Sequence, residues 1–427
     1  MQNTAKLFVA LACTAAALLS ACGKNASTDN AQIRFVHVSP DDGAINVQLA
    51  GETSNTVSAA NFESISGYRT IASGTQEVKV STVAGATQID SGNSLTATGK
   101  YTYVIAGRVG ANTGLLLLEN TSSTSSNTFR IRVADVAYPA GALDLYVLSG
   151  TNTLQNSSPI FAGTTAGGTT SFIELTQGDY RLVFTPTGVK QAIYDSGVKT
   201  FANQASVTVL AYTAGSSQLV NAALIYPDES STTFPANPYA RIKTIQAIPD
   251  VALMDLLVDG TAQFSNVPYQ GASGYLSLAS GSRNFKVQAT NVPGSYLGNS
   301  DTILLGGRDY SVVNIGSNGV VQSIALTDAN FTPTSGKARV RFVNASLAAI
   351  PVDVLVNFVS ETTNVAPNSA SAYFELDAST YAFTFTASGS STALLSLPSQ
   401  TLTAGLRYSI YIVGTAANPS YIVVQDI

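Results

Sequence analysis

The 427-residue chain has no tryptophan, one histidine, two cysteines and two methionines. Each scarcity closes a route. His37 is the only imidazole, so zinc hydrolysis lacks its usual ligand set. Any Ser-His-Asp or Cys-His arrangement would have to be built on that one residue. Cys13 lies in an apolar leader and Cys22 just beyond it, so no disulfide framework can staple the remainder. Without Trp the strongest ring for stacking on sugars is missing, and the 19 tyrosines are the substitutes. Charged residues make up 11% of the chain, against roughly 25% in an average soluble protein. The formal net charge is −5 and the basic residues form no block, which argues against nucleic acid. No Gly-x-Ser-x-Gly elbow and no phosphate-cradling Gly-rich loop occurs, and no residue pattern asks for a cofactor or a metal.

What is present begins with an address. Met1 to Lys6 carries one basic side chain, and Leu7 to Leu19 is an apolar run of 13 residues. A membrane-spanning helix needs about 20, so this run reads as the apolar core of a signal peptide. Leu19-Ser20-Ala21-Cys22 resembles the bacterial lipobox, which implies cleavage after Ala21 and acylation of Cys22 with palmitate-type chains. Several acyl chains hold a membrane stably where one does not. Gly23, in place of Asp, favours an outer-membrane lipoprotein of the cell envelope. Gly23 to Asn30 is a polar tether reaching about 30 Å when extended.

Internal similarity dominates the rest. Ile33-Arg34-Phe35-Val36-His37 aligns without gaps with Ile131-Arg132-Val133-Ala134-Asp135, Ile242-Lys243-Thr244-Ile245-Gln246 and Val340-Arg341-Phe342-Val343-Asn344, at offsets of 98, 209 and 307 residues. Each continues into an alternating strand: Ile45 to Leu49, Leu143 to Val147, Met254 to Val258 and Val352 to Val356. Tyr101, Tyr310 and Tyr408, each six residues after a leucine, repeat the offsets 209 and 307 at the other end. The expected order is a signal peptide over 1–21, a lipidated tether over 22–30, and β-sandwich repeats over 31–120, 128–226, 239–330 and 337–427. The longest connector, Pro227 to Pro238, groups the repeats as two pairs. Period-two alternation with Gly- and Pro-marked turns reads as antiparallel sheets, and no helical period competes. The fold class is therefore all-β, tandem immunoglobulin- or fibronectin-III-like sandwiches.

Leu402 to Tyr408 resembles the tyrosine corner of such domains, in which a Tyr hydroxyl bonds the upstream backbone. The same role is expected for Tyr101 and Tyr310. In the second repeat Phe201 leads to Val207, so that corner must be made otherwise. Arg34, His37, Ser39, Pro40 and Asp41, followed by Ile45-Asn46-Val47, resemble the family catalogued as domain of unknown function 4397, found in secreted and surface proteins. The third copy keeps Pro249 and Asp250 with Gln246 for His; the fourth keeps Arg341, Asn344 and Ser346 with Leu347 for Pro. The second, with Asp135 and Tyr138, is the most divergent. The resemblance implies a fold and an exported location but no activity.

Asp135, Gln246 and Asn344 stand where His37 does, so a hydrogen bond from a strand end to the next loop is expected there. Asn46, Asp144, Asp255 and Asp353 also recur once per repeat. Their constant companions Arg34, Arg132, Lys243 and Arg341 suggest cross-strand ion pairs on an outer face. Asp41, Asp42 and Asp250 are oxygen ligands of the sort Ca²⁺ takes, without a spaced calcium loop. Tyr68, Tyr275 and Tyr373 read as core or corner residues. The reading is a non-catalytic, membrane-anchored interaction or adhesion protein, its four repeats laid end to end as a stalk. Its partner would be an envelope protein or a polysaccharide. A polysaccharide- or small-ligand-binding module, or a hydrolase using paired carboxylates, are the alternatives.

Overall fold

The computed structural model describes residues 30–228, 231–317 and 319–426; the leader, Cys22 and most of the tether lie outside these residues. Strands fall in four sets, Asn30–Leu118, Thr128–Ile225, Tyr239–Asp328 and Lys337–Asp426. Each set forms two facing sheets of four or five strands. In repeat 4 one sheet holds Lys337–Asn344, Arg407–Gly414 and Pro419–Asp426, with Phe374–Asp377 on its far edge. The other holds Val352–Val356, Val359–Val365, Thr380–Ala387 and Ala393–Thr401. These are tandem β-sandwiches, as the alternation predicts.

The repeat register is kept strand by strand. Ile33 lies opposite Tyr101, Ile131 opposite Val207, Ile242 opposite Tyr310 and Val340 opposite Tyr408, each in a parallel pair. In the second strand Ile45, Val47 and Leu49 enter the sandwich core while Asn46 and Gln48 face outward. Each fully buried Val or Ile of this kind contributes roughly 1.5–3 kcal/mol. The tyrosine corners form as expected: the N–H groups of Thr96, Leu305 and Thr403 donate to the hydroxyls of Tyr101, Tyr310 and Tyr408 at 2.9, 2.9 and 3.1 Å. Repeat 2 fills its corner with stacked rings, Phe129 on Phe201 with centroids 4.6 Å apart.

The first strands are buried on both faces, which the alternation alone does not say. Ile33 and Phe35 point into their own sandwich, whereas Val36 and Val38 join Val104, Ala134, Val136 and Leu210 in a core shared with repeat 2. Ile245, Val313, Val343 and Tyr411 do the same between repeats 3 and 4. Equivalent sheets thus meet face to face, as in a two-fold dimer whose subunits have been fused. Seams join the pairs: Arg108 of repeat 1 reaches Glu375 of repeat 4 at 2.7 Å, and Ser216 of repeat 2 reaches Asp309 of repeat 3 at 2.7 Å. At the second seam Gly307 has φ 74°, and Asn221 fills the space a side chain there would need. The end-to-end stalk is therefore corrected. An apolar outer face on each first sheet is buried by stacking repeats in pairs, not in a line.

Candidate functional site

The histidine position is a loop brace in all four repeats. His37 is buried; its Nε2 donates to Gly43 O at 3.0 Å and its Nδ1 accepts from Ser39 N at 3.4 Å. With both nitrogens used and burial lowering its pKa, the ring stays neutral. Gln246 donates to Val251 O at 2.8 Å and accepts from Ile248 N at 2.6 Å; Asn344 donates to Ile350 O at 2.8 Å. Asp135 accepts from Ala137 N at 2.7 Å, and burial pushes its carboxyl up to about 7. All four side chains are buried, and His37 also borders a cavity of about 260 Å³ lined mainly by apolar residues such as Phe35, Ile45 and Val57.

The expected ion pairs between Arg34, Arg132, Lys243, Arg341 and Asn46, Asp144, Asp255, Asp353 do not form. The two series lie in opposite sheets of each sandwich. The acidic series holds backbone at bulges: Asp353 accepts from Asn364 N and Gly389 N at 2.7 and 2.8 Å, and Asp144 accepts from Gly163 N and Gly188 N at 2.8 and 3.0 Å. Asn46 takes Ala59 N at 2.9 Å, and Asp255 takes Asn266 N at 3.0 Å. The basic series is instead buried between paired repeats. Asp41 accepts from Val109 N at 3.0 Å and Asp42 accepts from Asn112, each tying a loop down. Among the described residues no group of three or more His, Cys, Asp or Glu side chains is gathered as a metal would require.

Between repeats 3 and 4, Arg341 bonds Asp328 and Lys243 bonds Asp426, while Lys243 and Asp328 are 3.7 Å apart. Ser311 and Ser409 donate to Asp328 and Asp426 at 2.8 and 2.6 Å. Tyr275 and Tyr373, expected as core or corner residues, lid this layer: Lys243 Nζ lies 4.9 Å from the Tyr275 centroid and the Arg341 guanidinium 4.8 Å from that of Tyr373. Burial acts to lower the Lys243 pKa, but Asp426 and Asp328 outweigh it and raise it. Between repeats 1 and 2, Arg34 meets Glu119 at 3.3 Å and stacks on Tyr68 at 4.5 Å. Sequence reasoning missed the carboxylates of this layer. The signal was there, since Glu119, Asp328 and Asp426 repeat the offsets 209 and 307.

Open concave surface lies at the repeat junctions. A cleft of about 880 Å³ runs between the connector after Glu119, the 199–206 turn and the connector after Leu224. Lys100 and Lys199 flank it, Asn120, Asn203 and Gln204 offer amides, and Phe234 contributes a ring face. Among the described residues Asp228 is the one carboxylate in its lining. Such a surface presents donors, acceptors and two cations, the equipment for holding a polar molecule.

Over residues 24–146, 240–355 and 348–427 the sequence matches the family described as "Domain of unknown function (DUF4397)". No curated protein matches. Among solved structures, the Bacillus anthracis TIE protein is similar at 10% identity and a TM-score of 0.16, over 87% of this chain and 66% of that one. This chain thus covers just under two thirds of that relative. A streptococcal virulence factor whose α-glucan binding has been described is similar at 10% identity and a TM-score of 0.16, over 44% of this chain and 96% of the other. A family 26 carbohydrate-binding module of Eubacterium rectale Amy13K, in complex with maltoheptaose, is similar at 12% identity and a TM-score of 0.15, over 48% and 95%. Scores this low carry no argument about what this chain binds.

Proposed function

The chain belongs to the DUF4397 family, and from that premise we propose that it is a non-catalytic binding or adhesion protein of the cell envelope. In this reading Cys22 carries the lipid that holds it to a membrane, and the cleft flanked by Lys100 and Lys199 takes a polysaccharide. One observation carries the binding half. The polar residues that recur in every repeat are spent on loops, bulges and the buried layer, whereas this cleft gathers amides and hydroxyls that do not recur, around the two cations Lys100 and Lys199. A glycan array probed with the full chain tests it. Binding that falls about tenfold or more in the Lys100→Ala/Lys199→Ala double variant supports the cleft. Full retention in that variant, or an array with no bound glycan, overturns it. For the anchor, labelling with a palmitate analogue and fractionation should show Cys22→Ser unlabelled and released from membranes.

A second reading, contact with another protein, has its own observation. The two-residue hairpin turn of repeat 3 is Asp259-Gly260, with φ of 50° and 81°. Repeat 4 places Asn357-Phe358 there, with φ of 47° and 67°, and Phe358 is 81% exposed. A bulky residue in a conformation that favours glycine, with its ring in water, works against stability. An adhesive role for the ring accounts for that cost. Phe358→Gly should raise the thermal midpoint by the equivalent of about 1 kcal/mol while weakening cell-surface attachment. Unchanged attachment would remove this reading.

A further inference from the structure

Repeats 3 and 4 treat one arginine position in opposite ways. In repeat 3, Arg241 lies opposite Asp309 on the parallel neighbouring strand. Its Nε and Nη2 donate to the two carboxylate oxygens at 2.8 and 2.6 Å. In repeat 4 the same register sets Arg339 opposite Arg407. Arg407 turns away to Phe331 O at 2.8 Å. Arg339 is therefore left without the internal counter-ion that its counterpart has.

Among the described residues its one carboxylate at salt-bridge distance belongs to another repeat. Arg339 is 5% exposed, yet its Nε and Nη1 have no hydrogen-bond partner. That carboxylate is Asp41 of repeat 1, whose Oδ2 stands 3.8 Å from Nη2, beyond hydrogen-bond reach, while its Oδ1 accepts from Val109 N at 3.0 Å. Burial raises the Asp41 carboxyl, with Val109 N and Arg339 opposing. Glu375 is taken by Arg108 at 2.7 Å. The rings of Phe331 and Tyr373, 5.3 and 5.2 Å from the guanidinium carbon, hold Arg339 in place. Arg339 borders a cavity of about 690 Å³ where repeats 1, 3 and 4 meet. That volume admits a small molecule or a sugar unit.

We propose that this cavity binds a carboxylate, from a free organic acid or from a uronate unit of a polysaccharide, placed at Arg339 as Asp309 is placed at Arg241. Idle guanidinium donors in a buried site are costly, and a carboxylate arriving side-on would take Nε and Nη2 of Arg339, the fork by which Asp309 holds Arg241. The site is separate from the Lys100–Lys199 cleft and stands whether or not that cleft holds a glycan.

Calorimetric titration of the full chain at constant ionic strength tests it, with glucuronate as probe and glucose and inorganic phosphate as controls. Saturable binding of glucuronate without binding of glucose is expected. Arg339→Gln should weaken it about tenfold or more, the loss of charge-assisted hydrogen bonds. Arg407→Asp supplies the missing internal carboxylate, so it should abolish glucuronate binding with a thermal midpoint at or above that of the parent. That pairing separates a filled site from an unfolded protein. Tighter binding of oligogalacturonate than of glucuronate assigns the carboxylate to a polysaccharide; equal binding assigns it to a free acid. No heat with glucuronate, binding undiminished in both variants, or phosphate bound as tightly as glucuronate would each overturn the proposal.

Discussion

The two face-to-face pairs use one geometry and fill it differently. Between repeats 3 and 4 both first-strand cations meet carboxylates from the partner repeat, Lys243 with Asp426 and Arg341 with Asp328. Between repeats 1 and 2, among the described residues, only Arg34 has one, and it comes from its own repeat, Glu119 at 3.3 Å. Arg132 donates to Leu118 O at 3.0 Å and to Thr208 Oγ1 at 2.9 Å. By strand register Pro227 stands where the other repeats carry Glu119, Asp328 or Asp426. A fused two-fold interface tolerates this loss because main-chain oxygens of the partner repeat can take the cation's donors. What they do not supply is negative charge, and burial accordingly lowers the Arg132 pKa with only Glu119 opposing.

The largest effect should come from removing a shared carboxylate. Asp328→Asn leaves Arg341 and Lys243 buried with Asp426 alone, and stranding a buried charge costs about 3–5 kcal/mol. Glu119→Gln in the other pair should cost about 1–3 kcal/mol, because Arg34 keeps Tyr226 O at 2.5 Å and Asp228 O at 3.0 Å. Thermal midpoints of the two full-chain variants make the comparison, and a Glu119→Gln loss as large as that of Asp328→Asn would break it. The acid side sharpens it. Burial acts to raise Asp328, but Arg341 and Lys243 outweigh it and hold its pKa below the ordinary value. Its contribution is present above the unfolded carboxylate range and is lost as pH falls through the lowered folded value.

A smaller effect of opposite pH sign separates repeat 2 from repeat 4. Asp135 and Asn344 brace equivalent loops, but Asp135 is fully buried with Oδ2 lacking a partner and its carboxyl pushed by burial up to about 7. The unfolded chain ionises this group near the ordinary carboxyl value of 3.8. Between these values the unfolded state binds fewer protons, so stability falls as pH rises through the window. Asp135→Asn removes the charge and keeps the acceptor for Ala137 N. It should leave the thermal midpoint unchanged near pH 4 and raise it above pH 7, by on the order of 2 kcal/mol. A gain of equal size at both pH values would mean that charge is not its source.

Much of this was legible in the sequence, and the reason is local. Alternation fixed Ile45, Val47 and Leu49 as inward, and the Leu-to-Tyr spacing gave the hydroxyl contacts of Tyr101, Tyr310 and Tyr408. The brace role of His37 followed from Asp, Gln and Asn standing in its place. What failed was anything decided between elements. The outward Arg34 and Arg341 seemed to belong with Asn46 and Asp353 because both series recur once per repeat. Recurrence gives equivalent positions but does not tell which sheet a strand joins. The apolar second face of Val36 and Val343 reads the same whether it meets another repeat or water, so the 227–238 connector gave the grouping into two pairs but not their face-to-face contact, and a line of domains was expected. The carboxylates at 119, 328 and 426 were visible as a series, but their partner lies across an interface that a single-repeat reading does not contain. The junction cavity beside Arg339 is further out of reach, since it needs three repeats to exist.

The smallest effect returns to the corners. Tyr408 is 6% exposed and its hydroxyl accepts from Thr403 N at 3.1 Å. Tyr408→Phe keeps the ring in the core with Val340, Leu402 and Ile410 and strips one hydrogen bond, a loss of about 1 kcal/mol. The matching change in repeat 2 does not exist, because Val207 has no hydroxyl and the stacked Phe129 and Phe201 hold that corner by ring contact. Phe201→Leu there should cost more than Tyr408→Phe, because it removes buried ring area where the other removes one polar contact. Amide hydrogen exchange at Thr403 and its neighbours reads the corner directly. Protection should drop in Tyr408→Phe while the strands of repeats 1 to 3 exchange as before. Unchanged protection at Thr403 would mean the hydroxyl contributes nothing, and the corner in repeat 4 would be held by packing alone, as it is in repeat 2.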